Sequence, residues 1–153
     1  MGCISDRLEE LGIVLPPPFA PAGNYVPCVI HGDVVHVSGH GPVAGDEIVR
    51  GKVGGDLDLA GGQRAARLTG LSILATLQAE LGDLDRIHRM LTLFGMVNVA
   101  PGFDNTPAVI NGCSDLFVEV FREAGQHARS AVGMAELPFG IAVEIEITAA
   151  LDG

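Results

Sequence analysis

Apolar and polar positions alternate over two stretches near the end of the chain, on either side of Leu137-Pro138-Phe139-Gly140. This predicts a strand opening at Arg129, a turn, and a second, neighbouring strand. The second strand would put Val143, Ile145 and Ile147 on one face and Glu144, Glu146 and Thr148 on the other. Earlier, Val29-Ile30 and Val34 to Ser38 flank His31-Gly32-Asp33, the pattern of a β-hairpin. Gly39-His40-Gly41-Pro42 ends that hairpin with residues that let the backbone turn and approach a ligand. A short strand is expected near Glu47 to Val49. Ile87 to Val99 is apolar almost throughout and reads as a strand buried on both faces.

Two longer segments carry the helical period instead. From Gln63 to Leu81, Leu68, Leu71, Leu74, Ala75 and Leu81 recur at three- and four-residue steps, and Gly82 suits the position just past a helix. Thr106-Pro107 predicts a second helix with Thr106 as cap, burying Val109, Ile110, Cys113, Leu116, Phe117, Val120 and Phe121 and ending near Gly125. A short helix over residues 5 to 12 would be capped by Ser5 and ended by Gly12. Pro16, Pro17, Pro18, Pro21 and Pro27 impose an extended lead-in that contains Tyr25, the only tyrosine. Gly51 to Gly62 reads as a polar, glycine-rich connection whose glycine pairs match no phosphate-binding loop. The order strands, helix, strand, helix, strands predicts an α+β fold, one sheet with two helices packed on one face.

Length and composition narrow the function. The 153 residues suit one domain over 1–153, with 1–24 an N-terminal helix and lead-in. Hydrophobic residues make up 48% and charged residues only 18%, with mean hydropathy +0.37 and no run near the roughly 20 residues of a membrane span. Neighbouring subunits are the expected cover for so much apolar surface. A net charge of −10 with nine Lys and Arg argues against a nucleic-acid partner. Cys3, Cys28 and Cys113 give neither a disulfide framework nor zinc spacing, so a reduced cytoplasm is expected. Met1-Gly2-Cys3 has the look of a lipidation start, but Asp6 stands where that motif needs Ser or Thr.

Arg129 and Glu144 are the candidate chemistry. Together they could serve a small anionic substrate that needs acid/base help, or form a surface ion pair. Arg supplies a planar fork for a carboxylate, at about 1.5–3 kcal/mol per charge-assisted bond. A Glu whose pKa is raised by partial burial can pass a proton to and from water. His40, between two glycines, reads as exposed loop or as an acid/base group. Asn111, near a helix start, reads as a local hydrogen-bonding residue. His31, His36, His88 and His127 show no ligand spacing, so no metal is expected. Ser38 and Ser130 lie in no nucleophile elbow.

The closing block Ala128-Arg129-Ser130-Ala131-Val132, Leu137-Pro138 and Val143-Glu144-Ile145-Glu146 resembles the signature of the RidA/YjgF family. Tyr25, the Val37-Ser38-Gly39 strand end and Val109-Ile110-Asn111 are similar too, and the likeness spans roughly residues 22 to 150. The resemblance implies a chorismate-mutase-like fold and a homotrimer with ligand sites in the clefts between subunits. It implies hydrolysis of 2-aminoacrylate-type enamines and their imines to 2-keto acids and ammonia, without metal or organic cofactor. Arg129 would hold the substrate carboxylate, Glu144 would activate water, and Tyr25, Gly39, His40, Asn111 and Ala131 would line the pocket. Several positions depart from the family pattern. His40 replaces the usual Gln and Ala131 a common Cys, the 100–107 loop is longer, and one extra residue separates Asn111 from Arg129. A divergent subgroup with a reshaped cleft is therefore expected. The alternative is a non-catalytic trimer binding a small carboxylate or a partner protein in the same clefts. Ribonuclease activity, also attached to parts of the family, fits the acidic charge least.

Overall fold

The computed structural model describes residues 3–153, so Met1 and Gly2 of the lipidation-like start lie outside the described residues. The elements run α1 (Ile4–Glu10), β1 (Cys28–His31), β2 (Val34–His40), β3 (Val43–Ala44), β4 (Glu47–Ile48), α2 (Leu59–Leu81), β5 (Ile87–Asn98), α3 (Thr106–Phe121), β6 (Ala128–Met134) and β7 (Val143–Leu151). Five strands form one mixed sheet in the order β1-β2-β7-β5-β6, and β3 and β4 make a separate two-stranded ribbon. The arrangement is α+β. Helices α2 and α3 cross on one face of the sheet, α2 over β2 and β7, α3 over β5 and β6.

The core lies between those helices and the sheet. Ile73, Leu74 and Leu77 of α2 and Ile110, Leu116 and Phe117 of α3 meet Val35, Leu93, Val97, Ile145 and Ile147 of the strands. Burying such side chains contributes about 1.5–3 kcal/mol each. The alternation expected of β7 is present: Val143, Ile145 and Ile147 face the helices, while Glu144, Glu146 and Thr148 face away.

Three local expectations are corrected. Helix α2 starts at Leu59, four residues early, because the Asp58 carboxylate accepts from Gly61 N at 2.7 Å and Gly62 packs against Val53 and Val109. What read as a glycine-rich loop is thus partly helix. Thr106 is not the cap of α3; Asn105 holds that place, and the Thr106 hydroxyl donates to the Ala131 carbonyl at 2.9 Å. In α1 the cap is the Cys3 thiol, not Ser5.

The larger correction concerns the closing strands. β6 and β7 are not neighbours, because β5 runs between them, antiparallel to β7 and parallel to β6. Pairing β6 with β5 in parallel needs a crossover, and α3 supplies it. β6 is left as an edge strand.

Candidate functional site

The register separates the two candidate groups. Arg129 pairs with Leu93, which pairs with Ile147, so Arg129 belongs to the helix-covered side of the sheet. Glu144 pairs with Met96, which pairs with Val132, on the uncovered side. The surface ion pair between Arg129 and Glu144 is therefore not formed.

Arg129 is held against α3 at the edge of the sheet. One terminal nitrogen donates to Ser114 Oγ at 3.0 Å and the other to the Pro107 carbonyl at 3.0 Å. Two of the five guanidinium N–H donors are thus fixed. Among the described residues no carboxylate lies within ion-pair distance of Arg129. Asn111 is exposed and lies four residues after Pro107 and three before Ser114, on the helix side that faces Arg129. Ala131 follows on the same face of β6, with its carbonyl taken by Thr106.

Sequence reasoning missed two members of this group, Ser114 and His127. Ser114 Oγ lies 2.9 Å from His127 Nε2, and His127 Nδ1 lies 2.6 Å from the Gly125 carbonyl. A carbonyl only accepts, so Nδ1 carries the proton and Nε2 accepts from the serine hydroxyl. Burial, opposed by the Gly125 bond and reinforced by the Arg129 charge, moves the His127 pKa below its usual value. His127 and Arg129 stand two apart ahead of and within a strand, which puts them on one face, but nothing local pointed to Ser114.

Glu144 belongs to the other group. A Cβ added at Gly39 would come within 2.3 Å of Glu144 Oε1, so only glycine lets the carboxylate lie against this backbone. Burial and the neighbouring Glu146 raise the Glu144 pKa. The Tyr25 segment is tied nearby: Ser38, next to Gly39, donates its hydroxyl to the Val26 carbonyl at 2.6 Å. Tyr25 itself is exposed, and its hydroxyl accepts from Ala22 N at 3.4 Å.

His40 is not exposed loop. Val37 pairs with Ile147 and His40 with Ile145, so three steps on β2 match two on β7, a bulge at Ser38-Gly39. Strict alternation would turn His40 outward beside Glu144; the extra residue turns it inward. It is fully buried, bonded to Ser38 O at 2.6 Å and Thr76 Oγ1 at 2.8 Å, with its ring 4.5 Å from that of Phe19. Burial lowers its pKa.

The uncovered sheet face holds an open hollow of about 590 Å³, lined by His36, Thr92, Phe94, Ser130, Glu146 and Thr148 among others. Val29 and Val132 on the same face are exposed at 53% and 37%, which leaves apolar surface uncovered.

Fold and geometry together define a chorismate-mutase-like α+β protein with an arginine held at its sheet edge. The chain belongs to the YjgF family, matching over residues 5–149 the family described as "YjgF/chorismate_mutase-like, putative endoribonuclease". It is 46% identical to Protein TCP17 of Trypanosoma cruzi, over 95% of this chain and 92% of that one. The crystal structure of Atu1372 from Agrobacterium tumefaciens, described as of unknown function, is 46% identical with TM-score 0.89, covering 99% and 93% of the two chains. TdcF of E. coli, solved with bound serine, is 26% identical with TM-score 0.59, covering 90% and 94%. No helix among the described residues is long and apolar enough to cross a membrane.

Proposed function

We propose that the protein hydrolyses small 2-imino acids and 2-aminoacrylate-type enamines to 2-keto acids and ammonia, in clefts between the subunits of a homotrimer. The observation that carries this reading is Arg129, a guanidinium fixed on α3 with donors to spare and, among the described residues, no carboxylate within ion-pair distance. Such a group is ready for a carboxylate from outside. Serine bound to TdcF, a relative, is a small amino acid of the matching kind. Arg129 and Glu144 sit on opposite sides of the sheet, so a cleft that uses both takes them from two copies of the chain.

In that cleft Arg129 would orient the imino acid by its carboxylate. Water adds to the imine carbon while its proton passes to Glu144. Glu144 then returns the proton to nitrogen, and as the carbon–nitrogen bond breaks the hydroxyl left on carbon gives its proton back to Glu144, releasing ammonia and the keto acid. A carboxylate with a raised pKa suits both transfers.

The test generates a 2-imino acid in situ and follows keto-acid formation. Arg129→Ala is expected to raise KM at least tenfold, and Glu144→Gln to lower kcat by about 10²-fold or more. A wild-type rate no faster than the uncatalysed one ends the enzymatic reading. Non-catalytic carboxylate binding is the second reading, favoured by the completeness of the Arg129 half-site within one chain; there Glu144→Gln leaves binding intact. The net charge of −10 disfavours RNA as substrate.

A further inference from the structure

Behind Arg129 runs a directed chain of hydrogen bonds that neither the proposed reaction nor the sequence pattern required. It passes from the Arg129 N–H to Ser114 Oγ (3.0 Å), from the Ser114 hydroxyl to His127 Nε2 (2.9 Å), and from His127 Nδ1–H to the Gly125 carbonyl (2.6 Å). Each donor has one acceptor, and the end is fixed because a carbonyl cannot donate. The arrangement needs neutral imidazole: a protonated Nε2 would itself donate to Ser114 Oγ and displace the hydroxyl proton.

The surroundings of His127 are built to keep it so. The Phe117 ring stands edge-on at 6.0 Å. Of charged groups, Arg129 acts on it directly and Arg89 of β5 shares a shallow hollow with it; the buried Cys113 thiol of α3 lies near Arg129. Both charges are positive, and no ion-pair carboxylate is found for His127 among the described residues.

We propose that the Ser114 hydroxyl and the neutral His127 imidazole, in series to the Gly125 carbonyl, fix the Arg129 guanidinium for carboxylate recognition, making both positioning residues. This rests on the reading of Arg129 as a carboxylate grip. A guanidinium on a flexible stem loses side-chain freedom when it grips an anion, and holding it beforehand removes part of that cost. Lowering the pH through the titration of His127 reverses the Ser114–His127 bond and sets a second cation beside Arg129. The fork then loses its fixed orientation.

Two measurements on the full chain test this. The first needs no ligand: ¹⁵N-resolved NMR of the His127 ring and the Arg129 side chain from pH 7.5 to 5. The expected result is a neutral Nδ1–H tautomer at pH 7.5 and an Arg129 N–H signal that shifts with the His127 titration. That coupling is lost in Ser114→Ala and kept in Ser114→Thr, which retains the hydroxyl. An Arg129 signal indifferent to His127 titration, or unchanged in Ser114→Ala, overturns the proposal. The second is calorimetric binding of pyruvate. Ser114→Ala and His127→Phe are expected to weaken it about tenfold, with Ser114→Thr close to wild type; unweakened binding in folded Ser114→Ala also overturns it. If wild-type protein binds no pyruvate while the NMR coupling is intact, the carboxylate reading of Arg129 falls and the relay itself stands.

Discussion

His40 shows how one residue's surroundings fix its charge. It is fully buried against Phe19 and bonded through both ring nitrogens, and its pKa lies below the ordinary 6.5. In the unfolded chain the ring takes a proton near pH 6.5, while the folded ring resists it to lower pH. The unfolded state therefore binds more protons in that window, and stability falls as pH drops from about 6.5 toward the folded value. His127 acts in the same direction. Glu144 acts oppositely: its raised pKa takes stability away as pH rises above 4.5. The thermal midpoint is expected to be lower at pH 5 than at 7.5, by about 2–4 °C per kcal/mol lost. His40→Gln should lower the midpoint at pH 7.5 and flatten this dependence. An unchanged slope in that variant would show that His40 is not its source.

At the scale of elements, the helix crossing is the tightest constraint. A Cβ at Gly112 of α3 would come within 2.1 Å of the Gln63 carbonyl of α2, and one at Gly70 of α2 within 2.9 Å of Leu116. Backbone cannot yield as a side-chain tip does. Gly112→Ala is thus expected to cost about 1–3 kcal/mol, read as a lower midpoint in urea. Asn111→Ala, one residue away and exposed, should stay within about 0.5 kcal/mol of wild type. Wild-type stability in Gly112→Ala would mean that the helices do not meet so closely. The crossing also matters for the site, because α3 carries Ser114 and the Pro107 carbonyl to Arg129.

At the scale of the whole molecule, Arg129 and Glu144 face opposite ways, and apolar Val29 and Val132 remain uncovered on the Glu144 side. Both features are accounted for if copies associate through that face, as the proposed trimer requires. Complementation tests it directly. At substrate well below KM, Arg129→Ala and Glu144→Gln chains are each expected to keep at most about a tenth of the wild-type rate. Mixed one to one and reassembled, they should recover about one quarter of the wild-type sites, each with an intact Arg129 from one chain and an intact Glu144 from the other. Activity no greater than that of the separate variants would show that both groups act within a single chain, or not together.

The sequence by itself determined the elements and the family. Period-two and helical patterns located the strands and helices because each buries one face, and burial is written in residue type. The same patterns assigned Val143, Ile145 and Ile147 to the core and Glu144 away from it. Only the tertiary structure decided who meets whom. β5, distant in sequence, slides between β6 and β7 because its apolar run fits a central strand, and this parts Arg129 from Glu144. A single extra residue at Ser38-Gly39 turns His40 from the uncovered sheet face into the core, since side-chain direction follows register and not identity. Ser114 and His127 come to Arg129 through the α3 crossover, a contact over 13 to 15 residues that no local pattern encodes.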